Sequence, residues 1–202
     1  MGNVWYNEPK TLDTAFDVMG DIVLSTAAQQ YGGFTVPEVD KILAPYAKKS
    51  YDKYVQEFLQ YSDKSWTGRE EKAIEYALDK VRRDFDQGWQ GIEYKLNTVG
   101  SSRGDYPFVT VTLGLGTGQF EKMCNISLLE VHKGGQGRDG HKKPVLFPKI
   151  VFLYDEIFMD RDSAVRMYLR QVWTVLQRQC IRTGFPCQER VIFPVCISST
   201  ER

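Results

Sequence analysis

Apolar residues recur along the first ninety positions at helical spacing. Leu12, Ala15, Phe16, Met19, Ile22, Val23 and Ala27 fall on one face of a helix that Gly32 and Gly33 would stop. Thr35-Val36-Pro37-Glu38 has the hydroxyl and carboxylate spacing of a capping box, so a helix start is expected there, with Pro45 breaking or kinking that helix. Tyr51, Tyr54, Val55, Phe58 and Leu59 mark another helix. A second capping box, Thr67-Gly68-Arg69-Glu70, opens one through Ile74, Ala77, Leu78, Val81 and Phe85.

The period then changes. Pro107 to Leu113 is β-branched and aromatic, hence a strand, closed by Gly114 and Gly116. A helix is expected from Phe120 to Val131, and "KGGQGRDGHKK" is a mobile or turn-forming loop. Pro144 to Tyr154 is nearly all apolar and suits a strand buried on both faces of a parallel sheet. Strand, helix and strand in this order predict a right-handed βαβ crossover, so the fold class is α/β, helices followed by βαβ strands.

Composition narrows the field. The chain has 202 residues, 42% of them hydrophobic, enough for one domain with a sizeable core. Its 26 basic and 26 acidic residues balance, so no overall field draws it to nucleic acid or an anionic membrane. There is no apolar run of bilayer length and no basic-then-apolar start, so a cytoplasmic location is expected. Cys124, Cys180, Cys187 and Cys196 form no C-x-x-C pair, which leaves little case for zinc or a disulfide framework. Cys124, at helical spacing between Phe120 and Leu128, reads as a core cysteine rather than a nucleophile. His132 and His141 read as surface or loop residues, since no carboxylate partner is apparent.

The vocabulary shifts at Glu156. All fourteen lysines precede it, whereas residues 157–202 hold seven arginines, no lysine and three of the four cysteines. One reading is an arginine-rich appendage that binds RNA. Another is a segment never selected as protein.

Three stretches carry a resemblance that bears on this choice: "PKTLDTAFDVMGDIVLSTAAQQYGGFTVPEVDKILAPYAKKSYDKY", "QGIEYKLNTVGSSRGDYPFVTVTLGLGTG" and "GHKKPVLFPKIVFLYDE". Residues 9–156 resemble the large subunit of class III, anaerobic ribonucleotide reductases. In that family the last stretch continues in the manner of "NLHGPG"; here it continues "IFMDRD". Reading the codons that Leu176 to Phe185 permit in the neighbouring frame yields Ala-Lys-Thr-Met-Tyr-Pro-Asp-Trp-Leu, the family's own words. Loss of one adenine after Asp155 would turn Glu-Asn-Leu-His into Glu156-Ile157-Phe158-Met159. The expectation is therefore two segments: 1–156, a partial barrel domain, and 157–202, an out-of-frame tail that is poorly ordered.

The resemblance implies a slice of the ten-stranded α/β barrel of glycyl radical enzymes, which reduce ribonucleoside triphosphates to deoxyribonucleoside triphosphates for DNA synthesis. It implies, for the whole enzyme, a glycyl radical, a structural zinc, and a radical-SAM activase with S-adenosylmethionine and an iron–sulfur cluster. It further implies nucleotide effectors and a homodimer, with no nucleic-acid or membrane partner. The radical cysteine would fall beyond the frame break and its partner cysteine before Met1, so this fragment is expected to hold no catalytic residue, no metal and no cofactor of its own, and to be inactive alone.

Two groups of residues are the site candidates. Asn97, Ser101, Ser102, Arg103 and Gly104 lie in "NTVGSSRG", where hydroxyls, an amide and a guanidinium in a glycine-flanked turn suit phosphate or ribose contact; the alternative is a turn that satisfies its own backbone. Gln29, Gln30 and Tyr31 end the first helix, a region that in the family looks like the dimer and effector surface; ordinary helix packing is the alternative. "GLGTG" lacks the lysine and hydroxyl of a P-loop and reads as a plain loop. A second function stays in view, a non-catalytic nucleotide-binding or regulatory module with a basic tail.

Overall fold

The computed structural model describes residues 7–30, 32–100, 107–154 and 195–196. Among the described residues four helices and four strands follow in the order α1 (Leu12–Gln29), β1 (Phe34–Val36), α2 (Val39–Tyr61), α3 (Arg69–Thr98), β2 (Val109–Leu113), α4 (Gln119–Gly134), β3 (Lys149–Tyr154) and β4 (Val195–Cys196). The strands pair in the order β1-β2-β3-β4, every pair parallel. Thr35 stands opposite Thr110, and Val111 opposite Ile150. The predicted β–α–β unit is therefore present as β2–α4–β3, and the mixed α/β class holds.

The core forms where the helices cover the sheet. On α3 the residues Ala73, Ala77, Val81, Phe85, Trp89, Ile92 and Leu96 are buried at steps of three or four, one stripe down a thirty-residue helix. Phe85 and Trp89 are wholly inaccessible, and Phe16 of α1 meets both edge-on, with ring centroids 6.1 and 5.1 Å away. A Cβ at Gly88 would collide with the Phe16 ring, so glycine in mid-helix leaves the slot the ring fills. On the sheet, Val109, Val111, Leu113, Ile150 and Phe152 close the core from below.

Several local expectations are corrected. Neither capping box forms. Thr35 belongs to β1, and α2 starts from Glu38, which has φ 45° and no side-chain cap. The parallel ladder with β2 claims Thr35 first, and the Glu38 amide donates to Thr112 Oγ1 at 2.8 Å. Helix α3 starts from Gly68 in the left-handed region, again uncapped by a side chain. Pro45 does not end a helix: α2 runs through it from Val39 to Tyr61, because Leu43, Ala44 and Ala47 are buried on either side. Helix α3 extends to Thr98, well past Phe85, which puts Asn97 in a helix's last turn rather than a loop.

The run Pro144–Tyr154 becomes strand only from Lys149, after a cis Phe147–Pro148 bond. Ile150 and Phe152 are buried while Lys149, Val151 and Leu153 are half-buried, so one face packs fully and not both. The expected tail, residues 157–202, lies outside the described residues except for Val195 and Cys196, which pair with Leu153 and Tyr154.

Candidate functional site

In an open parallel sheet, ligands gather beyond the carboxyl ends of the strands, where the loops that leave them converge. Here those loops are Pro37–Glu38 after β1 and Gly114–Gly118 after β2. They are joined by a residue that no sequence motif marks. Asp40, in the first turn of α2, is wholly buried. Its Oδ2 accepts from the amides of Gly114 and Gly116 and from Asn125 Nδ2, each at 3.1 Å. Its Oδ1 accepts from the Lys41 amide at 3.0 Å. Four N–H donors around one carboxylate offset the cost of burying it.

The "GLGTG" loop is thus no open phosphate cradle: the amides that would receive an oxyanion already hold Asp40. An acidic residue in a first helical turn reads from sequence as a mere complement to the helix dipole. The better signal was on α4, where Asn125 and Ser127 interrupt an otherwise apolar buried face. Buried beside Asp40 on the same helix as Asn125, Cys124 has its thiol pushed well above the ordinary value, by desolvation first and by the Asp40 charge second. It is a core thiol, as expected.

Of the predicted nucleotide-contacting residues, Ser101, Ser102, Arg103 and Gly104 lie outside the described residues, as does Tyr31. Asn97 is described, and its amide is fully used. Nδ2 donates to the carbonyls of Glu93 (2.7 Å) and Phe147 (2.6 Å), and Oδ1 accepts from the amides of Leu146 (2.9 Å) and Phe147 (3.2 Å). A nucleotide contact through the same amide would give up one of these bonds. Asn97 clamps the approach to β3 and fixes the helix end from which residues 101–104 depart. Gln29 and Gln30 are exposed at the end of α1, and the Gln30 amide closes the last turn on Thr26 at 3.1 Å.

His132 corrects the sequence reading. Its Nδ1 lies 2.8 Å from Oε1 of Glu93, whose side chain is entirely buried, and Gln136 Nε2 approaches Oε2 at 3.3 Å. The carboxylate partner exists but stands on another helix, 39 residues away in the chain, which is why no local pattern announced it. His141 is exposed. Among the described residues no group of three His, Cys, Asp or Glu could hold a metal ion, and no helix is long and apolar enough to cross a membrane.

Comparison with known proteins agrees with the resemblance. The family model described as anaerobic ribonucleoside-triphosphate reductase matches residues 1–191. The chain is 37% identical over 158 residues to the anaerobic ribonucleoside-triphosphate reductase of Enterobacteria phage T4, covering 77% of this chain and 24% of that protein. It is 34% identical over 152 residues to the enzyme of that name from Haemophilus influenzae, covering 75% of this chain and 20% of the relative. The Salmonella typhimurium enzyme is 32% identical over the same length, with the same coverage. The chain therefore spans between 20% and 24% of the length of these relatives. The regulatory-module reading finds no support in these matches.

Proposed function

This chain belongs to the anaerobic ribonucleoside-triphosphate reductase family, and from that premise we propose that it is one segment of the catalytic barrel of such an enzyme. The observation that carries this is the match across residues 1–191, combined with a parallel sheet whose exit loops converge on one edge. In the whole enzyme, as the resemblance implies, a glycyl radical installed by an activase supplies the radical chemistry that replaces the ribose 2′-hydroxyl with hydrogen. Among the described residues no cluster fits the zinc of such enzymes.

What this segment contributes is shape and contact. The β2 and β3 ladders form part of the barrel wall, with Val109, Val111, Leu113, Ile150 and Phe152 buried in the core they share with the helices. The loops after β1 and β2 build a portion of the mouth. Ser101, Ser102, Arg103 and Gly104 contact the ribonucleotide's phosphates or ribose, with Asn97 holding the helix end from which they spring. Gln29, Gln30 and Tyr31 belong to the dimer and effector surface. The setting is the cytoplasm, where the activase and nucleotides are met. Radical chemistry needs an enclosed site, and a wall alone does not enclose one. The isolated chain is therefore inactive.

The test is an assay of purified chain with activase, S-adenosylmethionine, ribonucleoside triphosphate and formate. Absence of deoxynucleotide is expected. Turnover would refute the segment reading. Flanking DNA that encodes the remaining cysteine and glycyl-radical segments would support it.

A further inference from the structure

The loop Gly114-Leu115-Gly116-Thr117-Gly118 leaves the carboxyl end of β2 and delivers the chain to α4. Three glycines in five residues give it no side-chain packing with which to hold itself, so its conformation is imposed from outside. Gly114 has φ +118°, and a Cβ there would stand 2.5 Å from the Leu153 carbonyl oxygen. A Cβ at Gly116 would stand 2.9 Å from Oδ2 of Asp40. With neither Cβ present, both amides reach one oxygen of one carboxylate, and Asn125 of α4 reaches the same atom. Asp40 comes from the helix that succeeds β1. A single buried oxygen thus ties the exits of two neighbouring strands to α4. Gly114 and Gly116 are buried by this arrangement, while Thr117 and Gly118 stay exposed.

We propose that Asp40 is a positioning residue for ribonucleotide binding: by filling the amide nest of the 114–118 loop, it fixes the exposed Thr117–Gly118 stretch as a rigid part of the substrate-facing mouth. This rests on the reading that the segment walls a reductase barrel. Asn125 takes part, since its Nδ2 completes the donor set while its Oδ1 has no hydrogen-bond partner among the described residues. The carboxylate acts through the loop and touches no substrate.

The test uses the complete enzyme carrying this segment in continuous frame, in three forms: parent, Asp40→Asn and Asn125→Ala. Asp40→Asn keeps the shape and removes the charge that draws three donors to one oxygen. Its KM for ribonucleoside triphosphate should rise on the order of tenfold, with kcat changed less than about threefold and the glycyl-radical signal unchanged. Asn125→Ala removes one donor together with the unpaired oxygen, and KM should move the same way by less. A purely structural residue would lower thermal stability and leave KM within about twofold of the parent in folded variants; that outcome overturns the proposal. If Asp40→Asn does not fold, Asn125→Ala decides alone. A parent enzyme that forms no deoxynucleotide would instead refute the reductase reading, which keeps the two failures apart.

Discussion

The imidazole of His132 and the carboxylate of Glu93 meet at 2.8 Å between α4 and α3, with Glu93 fully buried and Gln136 closing on its second oxygen. The Gln136 backbone in turn pairs with Lys143 through two hydrogen bonds of 2.9 and 2.8 Å. One carboxylate therefore anchors the turn of "KGGQGRDGHKK" to the helical layer. Replacing it by Glu93→Ala takes the carboxylate from the His132 ring and leaves the Gln136 amide only the Gln90 carbonyl, at 3.2 Å. Denaturant unfolding should show a loss of about 2–3 kcal/mol, against about 1 kcal/mol for Glu93→Gln, which keeps the shape and one of the two acceptor oxygens. Equal stability of the parent and Glu93→Ala would show that the pair holds nothing together.

Asn97 and residues 101–104 should separate cleanly. Asn97→Ala removes four hydrogen bonds to the backbone of Glu93, Leu146 and Phe147 and should destabilise the fold by about 2–4 kcal/mol whether or not nucleotide is present. Arg103→Ala should leave unfolding unchanged and weaken ribonucleotide binding in the complete enzyme by about tenfold or more, the worth of a charge-assisted bond. Calorimetry on the two variants distinguishes clamp from contact, and a nucleotide affinity untouched by Arg103→Ala would remove that residue from the site.

Asp84 provides a pH test. Burial raises its carboxyl above the ordinary 3.8, and the Asp13 charge adds to this, while the hydrogen bond from Tyr54, at 2.8 Å, opposes it. Tyr54 is pushed upward in turn, chiefly by burial and then by Asp84. A carboxyl raised by folding contributes stability that is present below its unfolded value and lost as pH climbs through the folded one. Asp84→Asn should flatten that decline and raise Tm at pH 7, since the amide oxygen still accepts from Tyr54. A lower Tm at pH 7 would show that the charge is favourable there.

Phe16→Ala should be among the costliest core changes, at about 3–5 kcal/mol, because the buried ring fills the slot that Gly88 leaves and packs edge-on against Trp89. Gly88→Ala should be destabilising too, by collision with the same ring, and the double variant should recover part of the loss. Additive losses in a double-mutant cycle would rule out the shared slot.

The isolated chain exposes an apolar groove of about 350 Å³ between α1, β1 and α2, lined by Met19, Ile22, Phe34, Val36 and Ile42 among others. It borders β1, the outer strand of the described sheet. An edge strand with no outer partner among the described residues, beside an apolar hollow, should make purified chain bind hydrophobic dye and self-associate. A monodisperse, dye-silent monomer would argue against this. For the tail, sequencing the locus around the Glu156 codon should reveal a lost adenine. A verified upstream frame that encodes Ile157-Phe158 would refute the frame-shift. The family match that continues to residue 191 makes this measurement the more informative.

Helix and strand periodicity stood plainly in the sequence. The stripe on α1, the β-branched run of β2, the α4 span and the β–α–β order were legible because each depends on neighbours within a few residues. What the sequence misplaced were events set by distant partners. Thr35 looked like a cap until β2 claimed it as a strand. Pro45 read as a break or a kink; α2 is not broken there, since burial on both sides carries it through. Asp40 and Glu93 looked like ordinary polar positions and Asn97 like a nucleotide contact, because their partners lie 74, 39 and 50 residues away. Local spacing encodes which face of an element is apolar. Only packing decides which buried polar group will face which backbone amide, since that choice depends on the free energy of leaving either one unpaired once water has gone.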